Sequence, residues 1–239
     1  MQGGSGILLT RGHLQVRDSH YLRLSAVHGG AVAMSGGSAT FNRCRFEGNE
    51  ATGGLGGAML VTGGHVSIVR SEFVGNRAAT AGGAIYATAS TLALRDGTVL
   101  VRNNATRGHS FFVDTPTAPS GSEAVEGAAA ADTNTGETSS PAVGITYTLP
   151  APIGRWLPLL EGQRSHRLPF GALNSDYPYD CPAGSIGKTL EYWSQVSPNC
   201  DGRCDPGYFC PNATGAMLIC PRGYFCVRGS AAGQVNARQ

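Results

Sequence analysis

Lysine is almost missing from this chain. Of its eighteen basic residues only Lys188 is a lysine, the formal net charge is +2, and charged residues make up 14% of the 239. So small an excess argues against nucleic acid and against a strongly acidic partner for the chain as a whole. Long apolar runs are missing too. No stretch approaches the ~20 apolar residues of a membrane span, and the N-terminus shows no basic start followed by an apolar core. Neither C-x2-C pairs nor the calcium-binding nonapeptide GGxGxDxUx occurs, and GGLGGA (53–58) lacks a following Lys-Ser/Thr. No metal-, cofactor- or phosphate-binding residues are therefore expected. What is abundant is glycine, 35 residues of it, which suits a turn-rich all-β chain better than a helical one.

The glycines are ordered. Gly29, Gly56 and Gly82 each open a Gly-Gly-Ala triplet, and GGAMLVTGGHVSIVRSEFVGN (56–76) restates GGAVAMSGGSATFNRCRFEGN (29–49). Thr10–Tyr21 aligns without gaps on Thr62–Phe73, which places a worn first copy near Gly4. Four copies in register are what a solenoid needs, because one unit cannot bury its apolar side alone. Within a copy the apolar residues alternate with a period of two, the signature of short strands. Equivalent positions give columns of matched residues: Ile7, Val32, Met59, Ile85; Leu14, Ala39, Val66, Leu92; Val16, Phe41, Ile68, Leu94; and Tyr21, Phe46, Phe73. They predict the inward stacks of a short right-handed parallel β-helix of about four coils over residues 1–114, ~25 residues per coil. Asn49 and Asn76 follow the inward Phe by three residues, and Asn104 is expected to hold the same bend after a two-residue insertion. Cys44 aligns with Ser19 and Ser71 in an inward column of small residues and reads as a buried, inert thiol.

Residues 115–142 carry one Val, four acids and no base, and read as a disordered linker. Residues 143–180 form a Pro-rich extended segment. Its anchors Tyr147, Leu149, Trp156, Leu157, Leu159 and Leu160 are expected to pack on the cysteine-rich part or to cap an end of the β-helix, and the prolines at 150, 152 and 158 forbid a regular central strand. Residues 181–230 hold Cys181, Cys200, Cys204, Cys210, Cys220 and Cys226 with no His among them, and residues 231–239 read as a disordered tail. So short a segment cannot build a sufficient core, so a small, mostly irregular module held by disulfides is expected, with fifteen pairings open. CDPGYFC (204–210) and CPRGYFC (220–226) are one phrase used twice, with Gly207 and Gly223 at turns and each Tyr-Phe pair as a small apolar plug.

The GGA-plus-FxxN pattern resembles the repeats of polymorphic outer-membrane proteins of chlamydial type, over about residues 4–114. YTLPAPIGRW, DYPYDC and the CxxGYFC pair are similar to the cysteine-rich modules called ephrin-receptor-like that follow such β-helices in surface proteins of algae and other protists, over about 147–230. The resemblance implies a eukaryotic, secreted or surface-displayed protein with an adhesive or structural role. It carries over no catalytic residues.

The expected function is therefore a non-enzymatic adhesion or structural role outside the cell or on its surface. Outward Arg43, Arg45, Arg70 and Arg95 would form a ladder facing a repetitive partner, a glycan or another surface protein. End-to-end or lateral contact between β-helices is a further expectation. The worn first repeat reads as part of a longer surface protein, whose signal peptide and anchor are not seen in these residues. The alternative is a β-helix polysaccharide lyase or glycoside hydrolase acting on an acidic glycan, for which Asp18 and Glu72, two coils apart, are the nearest approach to a carboxylate pair. The sequons at Asn104 and Asn212 are candidate N-glycan acceptors, although Asn104 is also assigned to the asparagine ladder.

Overall fold

The computed structural model describes residues 4–114, 144–160, 163–168, 170–190 and 195–235. The 115–142 linker and the end of the tail lie outside them. The chain is all-β: a β-solenoid of about four turns followed by a disulfide-bonded region.

Each turn passes through the same sheets in order. The first sheet stacks β1 (Ile7–Leu9), β5 (Val32–Met34), β9 (Met59–Val61), β13 (Ile85–Thr88) and β16 (Phe111–Asp114), all parallel. The second stacks β2 (His13–Arg17), β6 (Ser38–Asn42), β10 (Gly64–Val69) and β14 (Ser90–Arg95). The third holds β3 (His20–Leu22), β7 (Arg45–Glu47), β11 (Glu72–Val74) and β15 (Val99–Val101). A short fourth sheet holds β4 (Ser25–Ala26), β8 (Glu50–Ala51) and β12 (Arg77–Ala78).

The register is that of the sequence columns. Ile7 pairs with Val32, Val32 with Met59 and Met59 with Ile85, and each is covered by the coil above or below. Tyr21, Phe46 and Phe73 stack with ring centroids 4.8 and 4.5 Å apart and planes within 9°. Parallel in-register strands bring like residues over like, which makes such a stack available without any search among rotamers.

The glycine pair has two separate causes. The first glycine of each triplet takes a left-handed conformation (φ 58°, 65° and 68° at Gly29, Gly56 and Gly82). The second sits where a Cβ would lie 2.0–2.3 Å from a carbonyl oxygen of the next coil, as at Gly57 against Gly83 O. Gly108 (φ 66°) continues the series 26 residues after Gly82, a copy hidden in the sequence by its neighbours His109 and Ser110.

Several findings depart from expectation. The asparagine ladder runs Asn49, Asn76, Asn103 and not through Asn104. Asn76 Nδ2 donates to Asn103 Oδ1 and Asn76 N donates to the same atom, each at 2.9 Å, while Asn104 faces outward in the column of Glu50 and Arg77. The cause is register: Leu100, not Val101, pairs with Phe73, so the insertion is of one residue and Asn103 is the one three places on.

The solenoid also does not stop at Asp114. β17 (Gly144–Thr148) joins the second sheet parallel to β14, with Ile145 on Leu92 and Tyr147 on Leu94, so residues 115–143 interrupt a coil. The prolines begin only at 150 and leave this strand free to pair.

The chain then winds back. β19 (Ser165–Arg167) lies antiparallel on β17, β20 (Gly171–Leu173) antiparallel on β16, and Tyr177 antiparallel on Leu100. This reverse layer closes the edge that parallel strands leave open. Its side chains take the amides a further coil would have bonded: Asn174 Oδ1 accepts from Gly108 N (2.8 Å) and Asp176 Oδ1 from Arg102 N (2.8 Å). Tyr147, Leu157 and Tyr177 are fully buried beneath it, whereas Leu160 is exposed.

β18 (Arg155–Trp156) and β21 (Tyr179–Asp180) tie this cap to the cysteine-rich part, where Arg155 meets Asp180 at 2.9 Å. The bridges are Cys181–Cys200, Cys204–Cys210 and Cys220–Cys226. The repeated phrase forms two similar hairpins, β22 (Tyr208–Phe209) with β23 (Leu218–Ile219), and β24 (Tyr224–Phe225) with β25 (Gln234–Val235). The second hairpin draws in the start of the segment expected as a tail. Gly207 and Gly223 have φ of 83° and 84°. The Tyr-Phe pairs are not buried plugs: Tyr208, Tyr224 and Phe225 are exposed, and each seven-residue loop is closed instead by its own disulfide.

Candidate functional site

The positions nominated by the sequence are brought together in part. Arg43 donates to both carboxylate oxygens of Asp18, Nε to Oδ1 at 2.6 Å and Nη2 to Oδ2 at 2.7 Å. Arg45 donates to Glu47 at 2.7 Å and also meets Glu72, and Arg70 lies 3.9 Å from Asp96. The outward arginines are therefore not a bare ladder of cations, since three of the four are partnered across coils. The Arg43 guanidinium holds the Asp18 carboxyl below its usual range, and Arg45, with help from His20, does the same for Glu47.

Asp18 and Glu72 do not converge. Asp18 sits in the left-handed turn after β2 (φ 50°), whereas Glu72 opens β11 in a different column, and a separate arginine holds each. Cys44 is buried as expected, and burial pushes its thiol up. Its amide is tied to Ser71 Oγ at 3.0 Å, the hydrogen-bonded continuation of the small-residue column. Among the described residues there is no cluster of His, Cys, Asp or Glu able to hold a metal ion, and no helix long and apolar enough to cross a membrane.

The most developed surface feature lies elsewhere, on the outer face of the second sheet. Strand pairing sets its side chains in columns: His13, Ser38, His65, Thr91; Gln15, Thr40, Ser67, Ala93, Thr146; and Arg17, Asn42, Val69, Arg95, Thr148. β19 extends the middle column with Arg167. No Asp or Glu occupies any of these positions. Histidine and hydroxyl alternate in the first column, where His13 Nδ1 meets Ser38 Oγ and His65 Nδ1 meets Thr91 Oγ1 at 2.5 Å.

Toward the cap this face sinks into an open groove of about 600 Å³, bounded by Ser38, Thr40, His65, Thr91, Arg95 and Arg167. The depression arises because Gly144 and Ala93 supply almost no side chain there. Arg167 lies across the gap, its Nε 3.6 Å from the place a Cβ on Gly144 would occupy. Arg95 is exposed and makes no ion pair with any described residue.

The sequons differ. Asn104 is exposed and free of the ladder, and Thr106 Oγ1 donates to Ala79 O at 2.9 Å. Asn212 is exposed as well, but its Oδ1 accepts from Ala183 N at 2.7 Å.

No family model matches the chain, and no solved structure matches it. It is similar in part to ABC transporter G family member 28 of Arabidopsis thaliana, 30% identical over 92 residues, and to ABC transporter G family member 25 of Oryza sativa subsp. japonica, 32% identical over 89 residues. These stretches take in 37% and 36% of this chain but 8% of each relative, so the chain spans a small part of the length of the curated proteins it matches.

Proposed function

We propose that this chain is part of an extracellular or cell-surface scaffold with an adhesive or recognition role, and that it acts by presenting side chains at a fixed repeat without catalysing a reaction. The observation that carries the reading is the register itself. Outward residues recur at about 4.8 Å along the solenoid, the spacing of hydrogen-bonded strands, on a frame that the cap and the core hold rigid. Three disulfides within residues 181–226 support an oxidising compartment. The arginine partners of Asp18, Glu47 and Glu72 speak against a lyase or hydrolase built on those acids, since a general acid or base needs its carboxylate available to substrate. The repeat phrases and their likeness to surface-protein repeats point the same way. The matched transporters overlap the chain too little to lend it a transport role. In this setting Asn104 becomes the better placed N-glycan acceptor, with Asn212 second.

Labelling intact source cells with a membrane-impermeant biotin reagent, together with analysis of their medium, tests the location. The chain is expected among the labelled or released proteins, and its recovery only after lysis would overturn the reading. Incubation with acidic glycans is expected to give no new chain ends, and steady turnover would favour the lyase or hydrolase.

A further inference from the structure

We propose that the acid-free outer face of the second sheet binds a linear polyuronate, an acidic polysaccharide whose ring carboxylates pair with arginines of the groove while its hydroxyls meet the Ser/Thr columns. The inference rests on the surface-scaffold reading and deepens it by naming a ligand class and the face that takes it.

Charge is the first argument. The chain's net +2 is an average over unlike regions. At the turn beside this face the arginines are neutralised, Arg43 by Asp18 and Arg70 by Asp96, whereas Arg17 and Arg95 on the face itself make no ion pair with a described residue and no acid occupies its outward positions. Arg95 stands exposed at the groove without an ion pair among the described residues, beside Arg167. A weakly charged protein thus holds a locally cationic surface.

Shape and chemistry decide what kind of anion. Small-molecule sites are enclosed and mostly apolar. This groove is open and lined by hydroxyls, the His65 imidazole and guanidinium groups, which suits a polymer lying along the surface. Arginine, not lysine, supplies the cations, and its planar fork matches a carboxylate with paired hydrogen bonds. Hydroxyl columns advancing about 4.8 Å per coil can meet sugar hydroxyls on successive units of an extended chain.

The test uses the oxidised full chain and immobilised polygalacturonate, with its fully methyl-esterified form, neutral dextran and dextran sulfate as comparisons. Binding to polygalacturonate is expected, lost on esterification and greatly weakened in 1 M NaCl. Arg95→Ala should weaken it by about tenfold or more, as truncating a charge-assisted hydrogen bond does. Arg77→Ala, on the fourth sheet, should leave it unchanged, with unchanged circular dichroism showing both variants folded. Equal binding to the esterified polymer, binding to dextran sulfate alone, equal loss in both variants, or no binding to any polymer would each overturn the proposal. A chain that fails here and is still found at the cell surface loses only this face assignment, whereas an intracellular chain loses the scaffold reading.

Discussion

Replacing Asn76 with alanine removes four hydrogen bonds from the solenoid interior. Its Nδ2 donates to Phe46 O and to Asn103 Oδ1, and its Oδ1 accepts from the amide and the Nδ2 of Asn49, all at 2.9 Å. The residue is fully buried, so no water replaces these partners, and the Asn49 amide is left without an acceptor. At about 1 kcal/mol net for each bond the loss is about 4 kcal/mol, and the stranded amide alone accounts for about 1–3 of it. Asn103→Ala removes the bonds to the Asn76 amide, Asn76 Nδ2 and Phe73 O, a loss of about 3 kcal/mol by the same scale. Asn104→Ala, on an exposed side chain, should change stability by no more than about 0.5 kcal/mol. Urea unfolding of the oxidised protein followed by far-ultraviolet circular dichroism measures all three, with equal slopes required before midpoints are compared. If Asn104→Ala costs as much as Asn103→Ala, the register of the last coil is wrong. If Asn76→Ala falls within about 0.5 kcal/mol of wild type, the ladder does not hold the coils together.

Other consequences follow from the same geometry. Gly57→Ala should cost about 2–4 kcal/mol in urea unfolding, because a Cβ would lie 2.0 Å from Gly83 O and backbone must move; Gly75→Ala, with open space around it and φ of 62°, should cost only the left-handed strain of about 1–2 kcal/mol. Equal losses in the two would refute the steric account. Burial holds His166 below its ordinary value while Nδ1 lies 3.2 Å from Tyr177 OH. The unfolded chain then binds the proton first, so stability should fall as pH drops below the unfolded value near 6.5 and through the lower folded one, and His166→Gln should flatten that part of a stability-against-pH curve. An unaltered slope in the variant would remove His166 from the account. Asp176→Ala strands the Arg102 amide and should raise hydrogen exchange at Arg102 and its neighbours in the cap while leaving the first coils protected; uniform loss of protection would argue that the cap is not a separate layer.

The inward columns were legible because parallel coils of nearly constant length stack residue on like residue, so 29–49 laid over 56–76 already gives the pairing seen in β5–β9 and β6–β10. Legibility failed where length changed. The Phe of the Tyr21, Phe46, Phe73 column becomes Leu100 after one inserted residue, and two adjacent asparagines follow, so an insertion of two points to the wrong one. β17 was missed because residues 115–143 intervene, although Ile145 and Tyr147 alternate as Leu92 and Leu94 do. The ion pairs were hidden for another reason. Asp18 and Arg43 are 25 residues apart, and only turns of equal shape in successive coils bring them together. The polar face was present in the aligned repeats as far as β14, where reading the residues between the apolar ones gives its columns and shows that no acid enters them; Thr146, Thr148 and Arg167 join it only through β17 and β19.

Peptide mapping of the natural protein under non-reducing conditions tests the central claim most directly, that this is an oxidised scaffold exported from the cell. The account predicts intact Cys181–Cys200, Cys204–Cys210 and Cys220–Cys226 bridges with Cys44 as the free thiol. Six free thiols between Cys181 and Cys226 would contradict both the compartment and the function built on it.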